Sequence, residues 1–271
     1  MARSALLNVM VQAALKAGRA LARDFGEVQN LQVSMKGPGD YVSQADQKAE
    51  EIILRELSRA RPTYGVLAEE SGESKGSDGQ HRWIIDPLDG TTNFLHGIPL
   101  FSVSIALERQ GEVVAGVIYN PAMDELYTAE RGNGAFLNDR RMRVAARRTL
   151  PDCVIGTGVP HMGRGHHGQY LIALSHVMGE VAGIRRLGSA ALDLAYVAAG
   201  RFDGFWEEGL HPWDMAAGII LIREAGGFLS DKTGGSAMFK TNSIVAGNER
   251  IHKELMSVLK KPGPDGKNDT Q

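Results

Sequence analysis

The chain has a single cysteine, Cys153, in 271 residues. No disulfide can form within it, and no cysteine-ligated metal site either. A reducing compartment matches that scarcity, and the cytoplasm is the expected location. An excess of charge is missing too: 30 Lys and Arg stand against 32 Asp and Glu, a formal net charge of -2. A nucleic-acid surface calls for a basic balance, so nucleic acid is not indicated as a partner. Long apolar runs are also absent. The most apolar stretch, residues 215–222, is far too short to span a bilayer, and no membrane association is expected. The first 25 residues lack the pattern of a secretion leader. Leu6, Met10, Ala13, Ala14, Ala17 and Leu21 recur at helical spacing, with Arg3, Lys16, Arg19 and Arg23 between them.

What is present is an ordinary globular composition, 43% hydrophobic and 23% charged. At this length one hydrophobic core is strained, so two closely packed halves are expected. Helices are expected over residues 4–25 and 43–60, the second with Ala49, Ile52, Ile53, Leu57 and Ala60 on one face and Ser43 as its N-cap. Short strands at 64–68 and 83–85 each end in acid, and residues 71–80 between them read as an exposed loop. Phe101, Val103, Ile105 and Leu107 alternate with Ser102, Ser104 and Ala106, the pattern of a strand with one buried face. Residues 112–119 are apolar on both sides and read as a central strand, followed by strands at 126–128 and 135–137. Beyond 150, strands at 154–157, 184–187 and 202–206 lead into helices at 167–180, 189–199 and 212–225. The expectation is an α+β half over 1–145, an α/β half over 146–260, and a flexible polar tail over 261–271.

The informative feature is a set of acids at element boundaries. Asp86 and Asp89 flank Pro87-Leu88, and Gly90-Thr91-Thr92-Asn93 follows. Proline lacks a ladder donor, so the strand is expected to stop at Asp86 and turn. That turn brings Asp86, the Leu88 carbonyl and Asp89 toward one point, the oxygen set that hard divalent cations prefer. Glu69 and Glu70 end the preceding strand, and Asp214 opens a helix behind Pro212. Each has an ordinary reading when taken singly. Asp-Pro and Asp-Gly mark plain turns, Glu69-Glu70 suits a solvated loop edge, and Asp214 suits the dipole of a helix start. Together the three segments point to an oxygen-ligated metal enzyme.

At these residues the sequence resembles the inositol monophosphatase family. Trp83 to Phe94 (Trp-Ile-Ile-Asp-Pro-Leu-Asp-Gly-Thr-Thr-Asn-Phe) is similar to its first signature, and Trp213 to Gly218, followed by Glu224-Ala225-Gly226-Gly227, to its second. Leu67 to Ser71 and Gly188 to Ala191 match smaller motifs, and the likeness runs over residues 5–258, nearest the bacterial SuhB-type inositol-1-monophosphatases. The resemblance implies a layered αβαβα sandwich, usually a homodimer, and a phosphoric monoester hydrolase with two to three Mg2+ per active site, commonly inhibited by lithium. It implies Glu69, Asp86 and the Leu88 carbonyl as ligands of one magnesium, and Asp86, Asp89 and Asp214 as ligands of a second. Glu69 is also the ligand of a third, weaker site. Thr91 and Asp46 match the pair that orients and deprotonates the attacking water, although Asp46 is also an ordinary first-turn helix acid. Gly90 and Thr91 are expected to hold phosphate oxygens, and Asp89, Glu207 and the backbone of Gly188, Ser189 and Ala190 to contact a small phosphorylated polyol or sugar. The alternative for Glu207 or Glu208 is a solvated pair, and Lys36 resembles a basic residue near the metal-site entrance, with an exposed strand-end lysine as its ordinary reading. No role is assigned to His161, His166, His167 or His211. The expected reaction is hydrolysis of myo-inositol monophosphate. The alternatives are a related phosphatase acting on fructose 1,6-bisphosphate, histidinol phosphate or NADP, and a regulatory binding role added to the fold.

Overall fold

A computed structural model of the chain describes residues 3–27, 33–37, 40–161 and 165–262, without the side chains of 33–37 and 40–43. The side chain of Lys36 and the tail beyond 262 lie outside the described residues. Helix α1 (Ala5–Phe25) starts where the Ser4 hydroxyl accepts the Leu7 N–H at 3.0 Å. A hairpin of β1 (Val33–Gly37) and β2 (Asp40–Ser43) leads into α2 (Gln44–Ala60), so Ser43 closes a strand directly before that helix.

An eight-stranded sheet follows. Its strands are β3 (Gly65–Ala68), β4 (Gly72–Ser74), β5 (His81–Asp89), β6 (Ser102–Arg109), β7 (Glu112–Asn120), β8 (Glu125–Glu130), β9 (Gly134–Leu137) and β10 (Arg140–Arg141). The short helix α3 (Thr91–Leu95) sits between β5 and β6. The spatial order is β10-β9-β8-β7-β6-β5-β3-β4, and only the β3–β5 pairing is parallel.

The remaining elements are β11 (Val154–Thr157), α4 (His167–Met178), β12 (Gly183–Arg185), α5 (Ala190–Ala198), β13 (Gly204–Glu208), α6 (Pro212–Glu224), β14 (Phe228–Ser230), α7 (Met238–Thr241), β15 (Ser243–Gly247) and α8 (Glu249–Leu259). Their sheet has the order β12-β11-β13-β15-β14, with β11 parallel to both neighbours and β15 antiparallel to both of its own. The stretch from β14 to α8 carried no expectation from the sequence.

The period-two alternation of the large sheet sorts its residues between two cores. Trp83, Ile85, Val103, Ile105 and Val117 meet α1 and α2, whereas Ile84, Ala106, Ile118 and Tyr127 meet α5 and α6. The same α5–α6 layer packs on Phe205, Ile244 and Ala246 of the second sheet. On the far side, Ile155, Trp206 and Val245 meet Ile251 and Leu255 of α8 and Val177 of α4. The layers therefore run α, β, α, β, α, the sandwich expected from the resemblance.

Three local expectations need correction. Strand β6 is buried on both faces, because α6 covers its small-residue face: Ser104 Oγ donates to the Trp213 carbonyl at 3.2 Å. Small side chains there admit a helix, so alternation of large and small was misread as alternation of buried and exposed. Strand β5 does not stop at Asp86. It continues to Asp89 through a register shift, with Asp86 opposite Ser104 and Asp89 opposite Ser102. Pro87 and Leu88 occupy the bulge, where a missing donor costs nothing. Finally, part of the expected loop 71–80 pairs with β3 as the edge strand β4. Among the described residues no helix is long and apolar enough to cross a membrane.

Candidate active site

The bulge builds the centre of the site. It leaves the Leu88 N–H free to donate to Asp86 Oδ1 at 2.9 Å, which fixes that carboxylate over the bulge. Thr91 Oγ1 donates to the Leu88 carbonyl at 3.1 Å. Gly90 turns the chain with φ 92°, and a Cβ there would lie 2.9 Å from the Leu100 carbonyl, so only glycine fits. Asn93 Nδ2 then bridges the carbonyls of Leu100 and Leu187, both at 2.7 Å, and ties this turn to the segment that opens α5.

Three other segments converge there. After β3, Glu69 N–H donates to the Ile85 carbonyl at 3.1 Å. The buried carboxylate of Glu50 on α2 accepts from the next two amides, Glu70 at 2.9 Å and Ser71 at 2.8 Å. At the start of α6, His211 N–H donates to Asp214 Oδ2 at 2.6 Å, and the His211 ring stacks on Trp213. From α5, Ser189 Oγ and Ala191 N–H donate to Asp89 Oδ2 at 2.5 and 2.7 Å. Asp86, Asp89 and Asp214 thus present carboxylate oxygens that all lie within 4.8 Å of one another. They border a cavity of about 140 Å³ together with Glu69, Leu88, Gly90, Thr91, Gly188, Ser189, Ala190 and Glu207.

So many acids facing one another raise the cost of ionising each. Burial, then Glu69, Asp89 and Asp214, push Asp86 well above the usual carboxylate range. Burial and Asp89 do the same to Asp214. Burial lifts Asp89 to about 6, although Ser189, the α5 amides and Arg186 pull it the other way. Repulsion of this kind is relieved by cations rather than by protons if the cluster is to stay charged. The donor set is all oxygen, converges from three segments, and fits hard divalent ions such as magnesium.

A family model, described as the inositol monophosphatase family, matches residues 2–261. The chain belongs to the inositol monophosphatase family. Membership makes it an enzyme, a phosphoric monoester hydrolase. Within the family, it is 74% identical over 262 residues to the inositol-1-monophosphatase of Mesorhizobium japonicum, covering 97% of this chain and 98% of that protein. It is 45% identical over 255 residues to the Escherichia coli K12 protein named Nus factor SuhB, covering 94% and 96%. The crystal structure of the extragenic suppressor protein suhB from Bartonella henselae matches with a TM-score of 0.93 at 69% identity, over 95% of this chain and 99% of that one.

Among the candidate residues of this inositol monophosphatase family member, Asp46 stands apart. It is buried in the first turn of α2 and is not among the described residues lining the cavity. Glu207 does line it, pressed so close to Gly158 that a Cβ there would fall 1.8 Å from Glu207 Oε1. His161 borders the cavity as well, whereas His166 and His167 are exposed at the start of α4. Four residues without a sequence-based role also shape the site: Glu50, Asn93, Arg186 and Asp193. Glu50 carried a usable signal, since it shares the apolar stripe of α2 with Ala49 and Ile53.

Proposed function

We propose that the protein hydrolyses myo-inositol monophosphate, or a closely similar polyol phosphate, to the free polyol and phosphate with magnesium as cofactor. The observation that carries this reading is the convergence of Asp86, Asp89 and Asp214 on one cavity that also holds Glu69, Thr91 and Glu207. Glu69, Asp86 and the Leu88 carbonyl would hold one cation, Asp86, Asp89 and Asp214 a second, and Glu69 a third. When bound, the cations supply neutralisation of phosphoryl charge and activation of water.

The chain's own groups do the positioning. Thr91 spends its proton on the Leu88 carbonyl, so its oxygen lone pairs are left to accept from an incoming water. Gly90 and Thr91 offer backbone N–H groups at the start of a helix, where the first amides have no intrahelical acceptor. Asp46 is carried into the proposal as the proton acceptor on the family resemblance alone, since the Thr91 hydroxyl donates to the Leu88 carbonyl. Ser189 and Ala191 hold Asp89 by one oxygen and leave its other oxygen for the cation side. Glu207, on β13 across the cavity, accepts from polyol hydroxyls. A homodimer in the cytoplasm, inhibited by lithium, belongs to the same proposal.

Phosphate release by the purified protein, with magnesium and with EDTA, tests the reading. The panel is inositol 1-phosphate, fructose 1,6-bisphosphate, histidinol phosphate and NADP. Inositol 1-phosphate is expected to give the highest kcat/KM, and only with magnesium. Turnover of histidinol phosphate faster by on the order of a thousandfold would overturn the substrate assignment.

A further inference from the structure

Asp193 lies in the first turn of α5 and is 1% exposed. It borders the same cavity as the acid cluster. Its Oδ1 is buried and has no hydrogen-bond partner among the described residues, and it is the one such orphan that lines this cavity. A buried carboxyl oxygen without a partner is costly, and native structures satisfy nearly all such atoms. The contrast with Asp89 is direct: one oxygen of that carboxylate receives two donors from the same helix start, and Asp193 Oδ1, a few residues on, receives none among the described residues.

The surroundings of Asp193 do not supply a counter-ion for its own sake. Glu207 and Asp89 act on it with like charge, and Arg186 opposes them from the exposed mouth of the cavity. Arg186 is the only lysine or arginine among the described residues that line the cavity. The metal cluster consists of other acids, Asp86, Asp89 and Asp214. Glu207 and Asp193 therefore form a second acidic pair in the cavity, beside that cluster, and Asp193 Oδ1 is an acceptor that no described residue uses.

We propose that Asp193 is a specificity-determining residue that accepts a hydrogen bond from a hydroxyl of the bound polyol, alongside Glu207. This rests on the polyol-phosphate reading above and adds to it the group that separates a polyhydroxylated alcohol from a plain one. A neighbouring pair of acceptors suits adjacent ring hydroxyls, each of which carries one proton to donate. It gives nothing to an aryl phosphate, which shares the phosphoryl group and lacks the hydroxyls. A hydroxyl of the bound polyol supplies the donor that no described residue gives this oxygen.

The test compares Asp193→Asn and Asp193→Leu with the wild type, at saturating magnesium, on inositol 1-phosphate and p-nitrophenyl phosphate. Both variants are expected to lower the ratio of the two kcat/KM values by about tenfold or more, through KM for inositol 1-phosphate. Thermal unfolding should stay level or rise, because an unsatisfied buried acid has been removed. A ratio within about threefold of the wild type, with both substrates turned over, overturns the assignment alone. Equal loss on both substrates with a lowered Tm also overturns it and makes Asp193 structural. If the wild type turns over p-nitrophenyl phosphate but no polyol phosphate, the polyol reading falls and takes this assignment with it. If it turns over neither, the proposed hydrolysis itself falls.

Discussion

The two ends of the cavity solve the same electrostatic problem differently. At one end Asp86, Asp89 and Asp214 crowd within 4.8 Å, and each is held by backbone or hydroxyl donors from its own segment or the next. At the other, Glu207 sits against a glycine and Asp193 Oδ1 has no donor among the described residues. The first end is organised before anything binds, which suits cations that demand fixed oxygen positions. On the proposed function, the second is completed by a ligand, which suits recognition of hydroxyls. The same proposal assigns chemistry and specificity to separate acids of one cavity, so substitutions should fall into two kinetic classes.

The largest effect is expected at the organised end. Asp86→Asn and Asp89→Asn each remove a charge from the cluster while keeping its shape. Either should lower kcat on the order of a thousandfold, for inositol 1-phosphate and p-nitrophenyl phosphate alike. Circular dichroism should show an intact fold. Loss confined to the polyol substrate would erase the division between the two ends.

Glu50→Gln reaches the same end indirectly. One of the two amides held by the carboxylate, Glu70 or Ser71, loses its acceptor, and the turn carrying Glu69 loosens. The half-saturating magnesium concentration should rise by about tenfold, again for both substrates. Gly158→Ala probes the other end. Its Cβ would displace the flexible Glu207 carboxylate and raise KM for inositol 1-phosphate by roughly fivefold, with p-nitrophenyl phosphate kinetics following the wild type.

The sequence shows the two ends with unequal clarity, for a physical reason. Glu69, Asp86, Asp89 and Asp214 each sit beside a residue that forces an element to change: a strand end, a proline in the ladder, a glycine at φ 92°, a proline at a helix start. Such breaks are local, so one sequence reveals them. Asp193 sits inside Ala190-Ala191-Leu192-Asp193-Leu194, where a first-turn acid reads as a dipole partner and nothing local says which side of α5 is covered. Burial of β6 on both faces was hidden likewise, since whether Ser104 meets water or α6 depends on chain more than a hundred residues away. Helical spacing marked α1 and α2 and an unbroken apolar run marked β7, while the layered sandwich itself was expected from the family resemblance. Strands β14 and β15 carried no expectation because three and five residues leave little periodicity to read, whereas α8, with Ile251, Leu255, Met256 and Val258 on one face behind the Asn248 cap, was legible and went unread.

The smallest effect is thermodynamic, and it separates the two ends most sharply. Burial lifts Asp89 to about 6 in the folded protein, and burial with the neighbouring acids raises Asp86, Asp214 and Asp193 well above the range of an unfolded carboxylate. The folded state therefore binds protons that the unfolded state has already released. Stability is full below about pH 4 as far as these groups are concerned, and it declines as pH rises through their folded values. In EDTA, Tm should fall by about 5 °C between pH 5 and pH 8. On the proposed cofactor assignment, saturating magnesium binds the ionised cluster and should remove most of that decline. Asp193 is outside the cluster, facing Glu207 and Asp89 with only Arg186 opposed, so a residual decline of about 1–2 °C should persist with magnesium and vanish in Asp193→Asn. A slope abolished by magnesium in the wild type would place Asp193 within the reach of the cations and merge the two ends into one site.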